Sequence, residues 1–253
     1  MNRKKYESKN VVSSYIKMTL QNPEVMILVK HRASIVNKHI LDIGCGSGRT
    51  TAILKNLSSG YIGIDYSITM IESCRERFKG VSFARGDVRE MSEFRDDEFD
   101  FIMFSFNGLD SINHKDRLQG LREIHRVLKQ DGLFVFSSHN RKHRYAISRP
   151  KMKLSTMPCE QAGNFIRFFK STRNHLRNKN LQVFNEQYAI INDTAHNYAM
   201  LTYYIDKVNQ VKQLEDMGFE TIEMYDTSGN MLNLDSDDKG SAWIYYVARK
   251  IDK

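Results

Sequence analysis

The residues best suited to chemistry form a short run, Ile40-Leu41-Asp42-Ile43-Gly44-Cys45-Gly46-Ser47-Gly48, in which an apolar segment of strand length leads straight into a glycine-rich turn. Glycine has no Cβ and accepts positive φ, so such a turn lets a ligand lie close against the backbone. A nucleotide-like cofactor suits that cradle. A dinucleotide fingerprint starting at Gly44 would need glycine at position 49, where Arg49 stands, and the spacing is G-x-G-x-G instead. Asp42 just before the turn would be unwelcome beside phosphates but suits a cationic amino-acid group. These features favour a phosphate-free cofactor that carries an ammonium.

Further polar residues follow later apolar runs. Asp65 ends the second, at the distance from Gly44 where a carboxylate can accept from both hydroxyls of a ribose. Gly86-Asp87-Val88 ends the third, where a carboxylate and a backbone N–H can read an adenine edge while the valine covers the ring. Phe104-Ser105-Phe106-Asn107 ends the fourth. Ser137-Ser138-His139-Asn140 ends the fifth, and the ordinary pKa of histidine suits taking a proton from a hydroxyl or ammonium at neutral pH. His139 is therefore the candidate general base. Ligands in such sheets bind beyond the carboxyl ends of the strands, which assigns Asn107, Asp110 and Asn140 to a second substrate. Tyr15 and Tyr203, with Tyr6 and Tyr204, are expected to wall that site.

The elements that must carry these residues alternate. Strands are expected near His39–Ile43, 61–64, 81–84, Phe99–Phe104 and 133–137, with amphipathic helices between them, the pattern of βα units around a parallel sheet. Ser67 can cap a helix reaching Phe78, and Leu118, Leu121, Ile124, Val127 and Leu128 mark one helical face before Gly132. After His139 the alternation stops, and a polar, basic stretch with no clear strand signal runs to about Asp206. The pattern returns with a helix over 208–217, a strand near Phe219–Tyr225 and a last strand near 242–248. An acidic turn over 226–240 joins these two, so they should pair antiparallel at the edge of the sheet.

Over residues 36–140 and again from about 207 to 250 the chain resembles the class I S-adenosylmethionine-dependent methyltransferases. The resemblance implies an α/β fold with a Rossmann-like, seven-stranded, mostly parallel sheet, an antiparallel last strand and helices on both faces. It also implies S-adenosyl-L-methionine as cofactor. Gly44, Cys45 and Gly46 would then face its methionine part, Asp65 its ribose, and Tyr66 and Met70 its adenosine; Asp87 and Val88 would hold the adenine, and Phe104 would close the pocket. The chain has Phe104-Ser105-Phe106-Asn107 where methylases of planar nitrogens in this superfamily carry an Asn-Pro-Pro-Tyr type of tetrapeptide, which tilts the expectation to an oxygen or amine of a small molecule. The sulfonium already activates the methyl carbon, so holding a neutral nucleophile in line could suffice without a base.

Composition narrows the remaining choices. The chain of 253 residues, 41% hydrophobic and 27% charged, can bury one sizeable core. It is expected to divide into an N-terminal helical arm or lid (1–35), the cofactor domain (36–140 and 207–253) and a basic insertion that caps the acceptor (141–206). Cys45, Cys74 and Cys159 are too scattered for a disulfide framework or a metal site, so no metal and a reducing cytoplasm are expected. No apolar run is long enough for a signal peptide or a membrane span. Between residues 141 and 180 stand eleven Lys or Arg against one acid, Glu160, a local charge of +10 within a chain of +8. That favours a small anionic acceptor, such as a nucleotide-linked sugar or a polyketide-like precursor. An RNA methyltransferase using the same segment is the second reading. A non-catalytic protein that merely binds the cofactor is the third.

Overall fold

Burial explains why the first strand sits at the centre. In the computed structural model, which describes residues 19–251, His39–Ile43 (β1) has four consecutive buried residues, as a parallel strand covered on both faces must. Ile40 joins one core with Ile27, Leu54, Ile71, Phe101, Val135 and Val247. Leu41 and Ile43 join the other with Leu121, Ile124, Phe134, Leu214 and Phe219. The first core is roofed by helices Asn22–Lys30 (α1), Thr51–Leu57 (α2) and Ile68–Arg77 (α3). The second is roofed by His114–Val127 (α4) and Lys207–Asp216 (α6).

The strands around β1 are Gly60–Asp65 (β2), Ser82–Arg85 (β3), Phe99–Phe104 (β4), Leu128–Asn140 (β5), Phe219–Tyr225 (β9), Met231–Leu232 (β10) and Trp243–Lys250 (β11). Their order is β10-β9-β11-β5-β4-β1-β2-β3. β1 to β5 run parallel, and β11 is antiparallel to both β5 and β9. The Rossmann-like α/β expectation with an antiparallel last strand is met. The expected cap is present, Ser67 Oγ accepting from Met70 N at 3.5 Å at the start of α3; Asn113 caps α4 in the same way, accepting from Asp116 N at 3.0 Å, and Asp206 caps α6, accepting from Asn209 N at 3.1 Å.

Two expectations are corrected. Leu128 is the first residue of β5, opposite Phe99, and does not belong to the helical face before it. The stretch after His139 does contain strands: following helix Pro158–Asn178 (α5), Val183–Phe184 (β6), Tyr188–Ile191 (β7) and Thr202–Ile205 (β8) form an antiparallel set. β8 pairs parallel with β5 at His139 and Asn140. β11 already occupies one side of β5 there, so β8 takes the β4 side, beyond the end of β4 at Phe104 opposite Phe136. With these strands the sheet has eleven among the described residues, against the seven expected.

Polar anchors hold this insertion. His196, Asn197 and Tyr198 all take left-handed φ of 50°, 58° and 60°, a conformation that costs a non-glycine residue on the order of 1 kcal/mol or more. The buried Asn192 amide donates to the Tyr198 and Met200 carbonyls at 2.9 and 2.7 Å, while its Oδ1 lies 2.9 Å from His175 Nδ1. Asn192→Ala is expected to cost about 1–3 kcal/mol by stranding those partners. Urea unfolding measures the loss, and hydrogen exchange should quicken over residues 183–205 while β1 to β5 keep their protection.

Candidate cofactor and acceptor site

The turn after β1 takes the conformation its composition allows. Gly44 and Gly46 have φ of 62° and 56°. A Cβ on Gly44 would sit 2.7 Å from the Phe104 ring, which packs against that bare backbone. A Cβ on Gly46 would meet only the Gly44 carbonyl oxygen, at 4.0 Å, because the space above it is open. Asp65 at the end of β2 fixes the turn: its Oδ2 accepts from Gly46 N at 3.0 Å and its Oδ1 from Ser67 N at 2.8 Å. Burial pushes the Asp65 carboxyl up to about 6 against the pull of those two N–H donors.

Above the turn lies a cavity of about 760 Å³, within the usual range of small-ligand sites. All nine residues expected to hold the cofactor line it: Gly44, Cys45, Gly46, Asp65, Tyr66, Met70, Asp87, Val88 and Phe104. Asp42 also reaches it, yet its Oδ2 already accepts from the hydroxyls of Thr50 and Tyr61 at 2.6 and 2.7 Å, and burial raises its carboxyl to about 6. That oxygen orders the strand end; it is not held in reserve for a cation. The Asp87 carboxylate is half-exposed and gripped by the Arg89 guanidinium at 2.9 and 2.6 Å. Ser47 Oγ is buried on the wall with no partner.

One contributor escaped the sequence reading. Glu24 of α1 is fully buried and forms an ion pair with Arg49, whose Nη2 is 2.7 Å from Glu24 Oε1. The same carboxylate accepts from Ser105 Oγ and, at 3.1 Å, from the Tyr245 hydroxyl. Arg49 lines the cavity and lies 5.3 Å over the Phe106 ring. The N-terminal helix is thereby riveted to the ends of β1, β4 and β11. Nothing in the spacing links positions 24, 49, 105 and 245; the capping box of Gln21 and Glu24 and the proline at position 23 mark only a helix start there.

At the other end, His139 has the partner that the sequence could not show. Its Nδ1 is 2.7 Å from Asp110 Oδ2, which also accepts from the His139 backbone N–H at 2.6 Å. Asp110 Oδ1 takes Arg117 at 2.6 Å and Ser138 Oγ at 2.7 Å. Four donors saturate the buried carboxylate, so Asp110 orients His139 and has no lone pair left for a substrate. With Nδ1–H donating to Asp110, the free lone pair of a neutral ring is on Nε2. That atom is 3.5 Å from the Asn107 amide nitrogen. Phe106 and Gly108, on either side of Asn107, line the cavity, whereas Asn107 and His139 themselves do not.

Two other expected acceptor residues are corrected. Asn140 is fully buried, and its amide holds the Asp238 and Ser241 carbonyls at 2.8 and 3.2 Å. Tyr203 is also fully buried; its hydroxyl meets His114 Nδ1 at 2.8 Å and Gln213 at 3.3 Å, and burial pushes its pKa up to about 12. Tyr204 donates to Asp193 at 2.9 Å. Tyr203 and Tyr204 hold the insertion in place, and Asn140 ties the end of β5 to the turn before β11. Tyr6 and Tyr15 lie outside the described residues. The insertion instead offers the cavity three apolar side chains, Leu181, Ile190 and Leu201, and none of its eleven cations.

Comparison with known proteins agrees with this arrangement. A methyltransferase-domain family model matches residues 40–132, the span from β1 into β5. Residues 40–132 thus carry a methyltransferase domain, and the chain has the fold of the class I S-adenosylmethionine-dependent methyltransferases. A protein of Methanocaldococcus jannaschii is 36% identical over 102 residues, covering 40% of this chain and 37% of that one. A demethylmenaquinone methyltransferase of Staphylococcus aureus is 33% identical over 138 residues, covering 52% and 54%. The matches thus span about half or less of these curated relatives. A solved S-adenosylmethionine-dependent methyltransferase of Clostridium acetobutylicum shares the fold, with a TM-score of 0.64, 13% identity and 94% of each chain covered.

The cofactor of this class is S-adenosyl-L-methionine, and the residues present fit it. The open space over Gly46, the unpartnered Ser47 Oγ and the Asp65 carboxylate with lone pairs to spare form a cradle for a nucleoside carrying an amino-acid tail. Among the described residues no cluster of His, Cys, Asp or Glu could hold a metal ion, and Cys45, Cys74 and Cys159 are free thiols. Removing one member of a buried ion pair strands the other charge. Glu24→Gln is therefore expected to destabilise the fold by about 3–5 kcal/mol, read by urea unfolding; a loss below about 1 kcal/mol would mean that the Arg49 pair does not hold α1.

Proposed function

We propose that the chain moves the methyl group of S-adenosylmethionine to an oxygen or amine of a small, largely apolar acceptor. The observation that carries this reading is the make-up of the cavity: polar backbone and carboxylates at the ends of β1 to β3, then the apolar side chains Phe106, Ile112, Leu181, Ile190 and Leu201, which face it beside Ser111, Asn113 and Asp116. The expectation of an anionic acceptor rested on the cations of the insertion, and their absence from the wall removes its support. The arginines that do line the cavity are engaged: Arg49 by Glu24, Arg85 by the Tyr66 carbonyl, and Arg89 by Asp87 and Asp116.

In this reading Asp65 accepts from the ribose hydroxyls, Val88 and Met70 cover the adenine, and the Gly44–Gly46 backbone faces the methionine part. The bound sulfonium supplies an electrophilic methyl, and the apolar wall keeps water from competing for it. His139, its ring fixed by Asp110, takes the acceptor proton on Nε2 when the acceptor has one to lose. The Asn107 amide nitrogen, 3.5 Å from that atom, orients the acceptor beside it.

The direct test is incubation with methyl-labelled S-adenosylmethionine and fractionated cell extract. Label is expected in small molecules that partition into organic solvent; label confined to anionic metabolites or to RNA would overturn the acceptor class. Cofactor binding should also depend on pH with a definite sign. Ribose hydroxyls need the ionised carboxylate, whose pKa is raised to about 6 by burial, so affinity for S-adenosylhomocysteine should hold above that pH and fall about tenfold for each unit below it. Asp65→Asn should weaken binding at least about tenfold at pH 7 and flatten the pH profile, as calorimetry would show. His139→Ala should lower kcat roughly a hundredfold with unchanged affinity for S-adenosylhomocysteine; a near-native kcat would leave proximity alone as the source of the rate.

A further inference from the structure

The insertion leaves uncovered what soluble proteins normally cover. More than half of the large hydrophobic side chains exposed among the described residues fall between positions 145 and 184, and four belong to α5: Phe165, Ile166, Phe169 and Leu176. Ile166 is 71% and Phe169 67% exposed. At 100° per residue, Phe165, Phe169 and Leu176 fall on one line along the helix, with Ile166 beside it. The opposite line, through Asn164 and Ser171, is the buried one. The polar side chains of that inner face bond to the insertion, as His175 does to Asn192 and Asn174 to the Asn197 carbonyl at 2.9 Å. Apart from the half-buried Phe168, the helix thus turns its small and polar side inward and its apolar side outward.

Arg173 lies within the apolar stripe, and Lys170 and Arg177 run along its flank. Glu160 is the lone acid of α5 and sits in its first turn. An apolar stripe edged by cations along a helix is the form that lies in the plane of an anionic bilayer, the stripe in the acyl boundary and the cations among the headgroups. No helix among the described residues is long and apolar enough to cross a membrane, so this one would lie on it. α5 also leads, through the turn Lys179–Leu181, to the cavity, since Leu181 is both exposed and part of the wall.

We propose that the outward face of α5 docks the protein on an anionic lipid surface, from which a bilayer-partitioned acceptor passes by Leu181 into the cavity. The docking stands on α5 alone; the second clause rests on the apolar acceptor proposed above. Charge complementarity selects the occupant. A second copy of the same face would set a +10 segment against another. Single-stranded RNA would want aromatic platforms in a groove, whereas half of this stripe is aliphatic and lies on a convex helix.

The experiment uses the full chain and sedimentation with phosphatidylcholine vesicles, with and without phosphatidylglycerol. Binding is expected only with the anionic lipid and should weaken as salt rises. Phe165→Ser with Phe169→Ser, and separately Lys170→Glu with Arg173→Glu, should each weaken it about tenfold or more. Both pairs are exposed, so thermal unfolding and affinity for S-adenosylhomocysteine should stay native. Four results would overturn the proposal: no binding to anionic vesicles, binding indifferent to both double variants, a wild-type dimer in ultracentrifugation that the phenylalanine variants dissolve, or tighter binding to polyuridylate that the same variants abolish. Loss of S-adenosylhomocysteine binding with vesicle binding intact would count against the proposed function and not against the docking face.

Discussion

β5 outruns its neighbour, and the site is built on the overhang. β4 stops at Phe104 opposite Phe136, while β5 continues through Ser137, Ser138, His139 and Asn140. A strand that loses its partner exposes N–H and C=O groups that must find others. Ser137 Oγ accepts from Asn107 N at 2.8 Å, which pins the left-handed turn at Phe106 and Asn107 (φ 57° and 60°). β8 then fills the remaining edge beside His139 and Asn140. The same four residues therefore place the histidine, shape the wall after β4 and attach the insertion that roofs the cavity.

Two buried ion pairs stand on either side of this construction. Glu24 and Arg49 belong to the sheet face covered by α1, and Asp110 and Arg117 to the face covered by α4 and α6. Arg117 is fully buried, with Gln210 and Gln213 accepting from it at 2.7 and 2.9 Å and the Tyr203 ring 4.5 Å away. Such pairs seldom add stability over well-packed apolar residues. Their use here is geometric: each saturates a carboxylate whose other bonds position a residue at the cavity, Ser105 in one case and His139 in the other.

What was legible in the sequence was local. Glycines at 44, 46 and 48 and acids at 65 and 87 sit within a few residues of strand ends, and period-two or fully apolar runs marked those strands. What was not legible depended on distance or on burial without periodicity. Asp110 is 29 residues from His139, and Glu24 is 221 from Tyr245. Thr202–Ile205 is buried at all four positions, and Tyr188–Ile191 alternates in burial but not in residue type, since all four of its side chains are apolar or aromatic, so neither shows in sequence the apolar–polar alternation that identifies a half-buried strand. Asn140 and Tyr203 have the chemistry and the place near strand ends that suit a substrate site, but their polar atoms serve the chain itself. The basic insertion misled in the same way, since charge counted along a sequence does not reveal which way each side chain faces.

The most direct test of the account is a crystal structure with S-adenosylhomocysteine bound. The ligand is expected in the cavity over Gly46, with both ribose hydroxyls on the Asp65 carboxylate, the adenine against Val88, and the sulfur facing the wall made by Phe106 and the insertion residues Leu181, Ile190 and Leu201. A ligand seated away from the glycine turn, or a ribose that leaves Asp65 bonded only to Gly46 and Ser67, would contradict it.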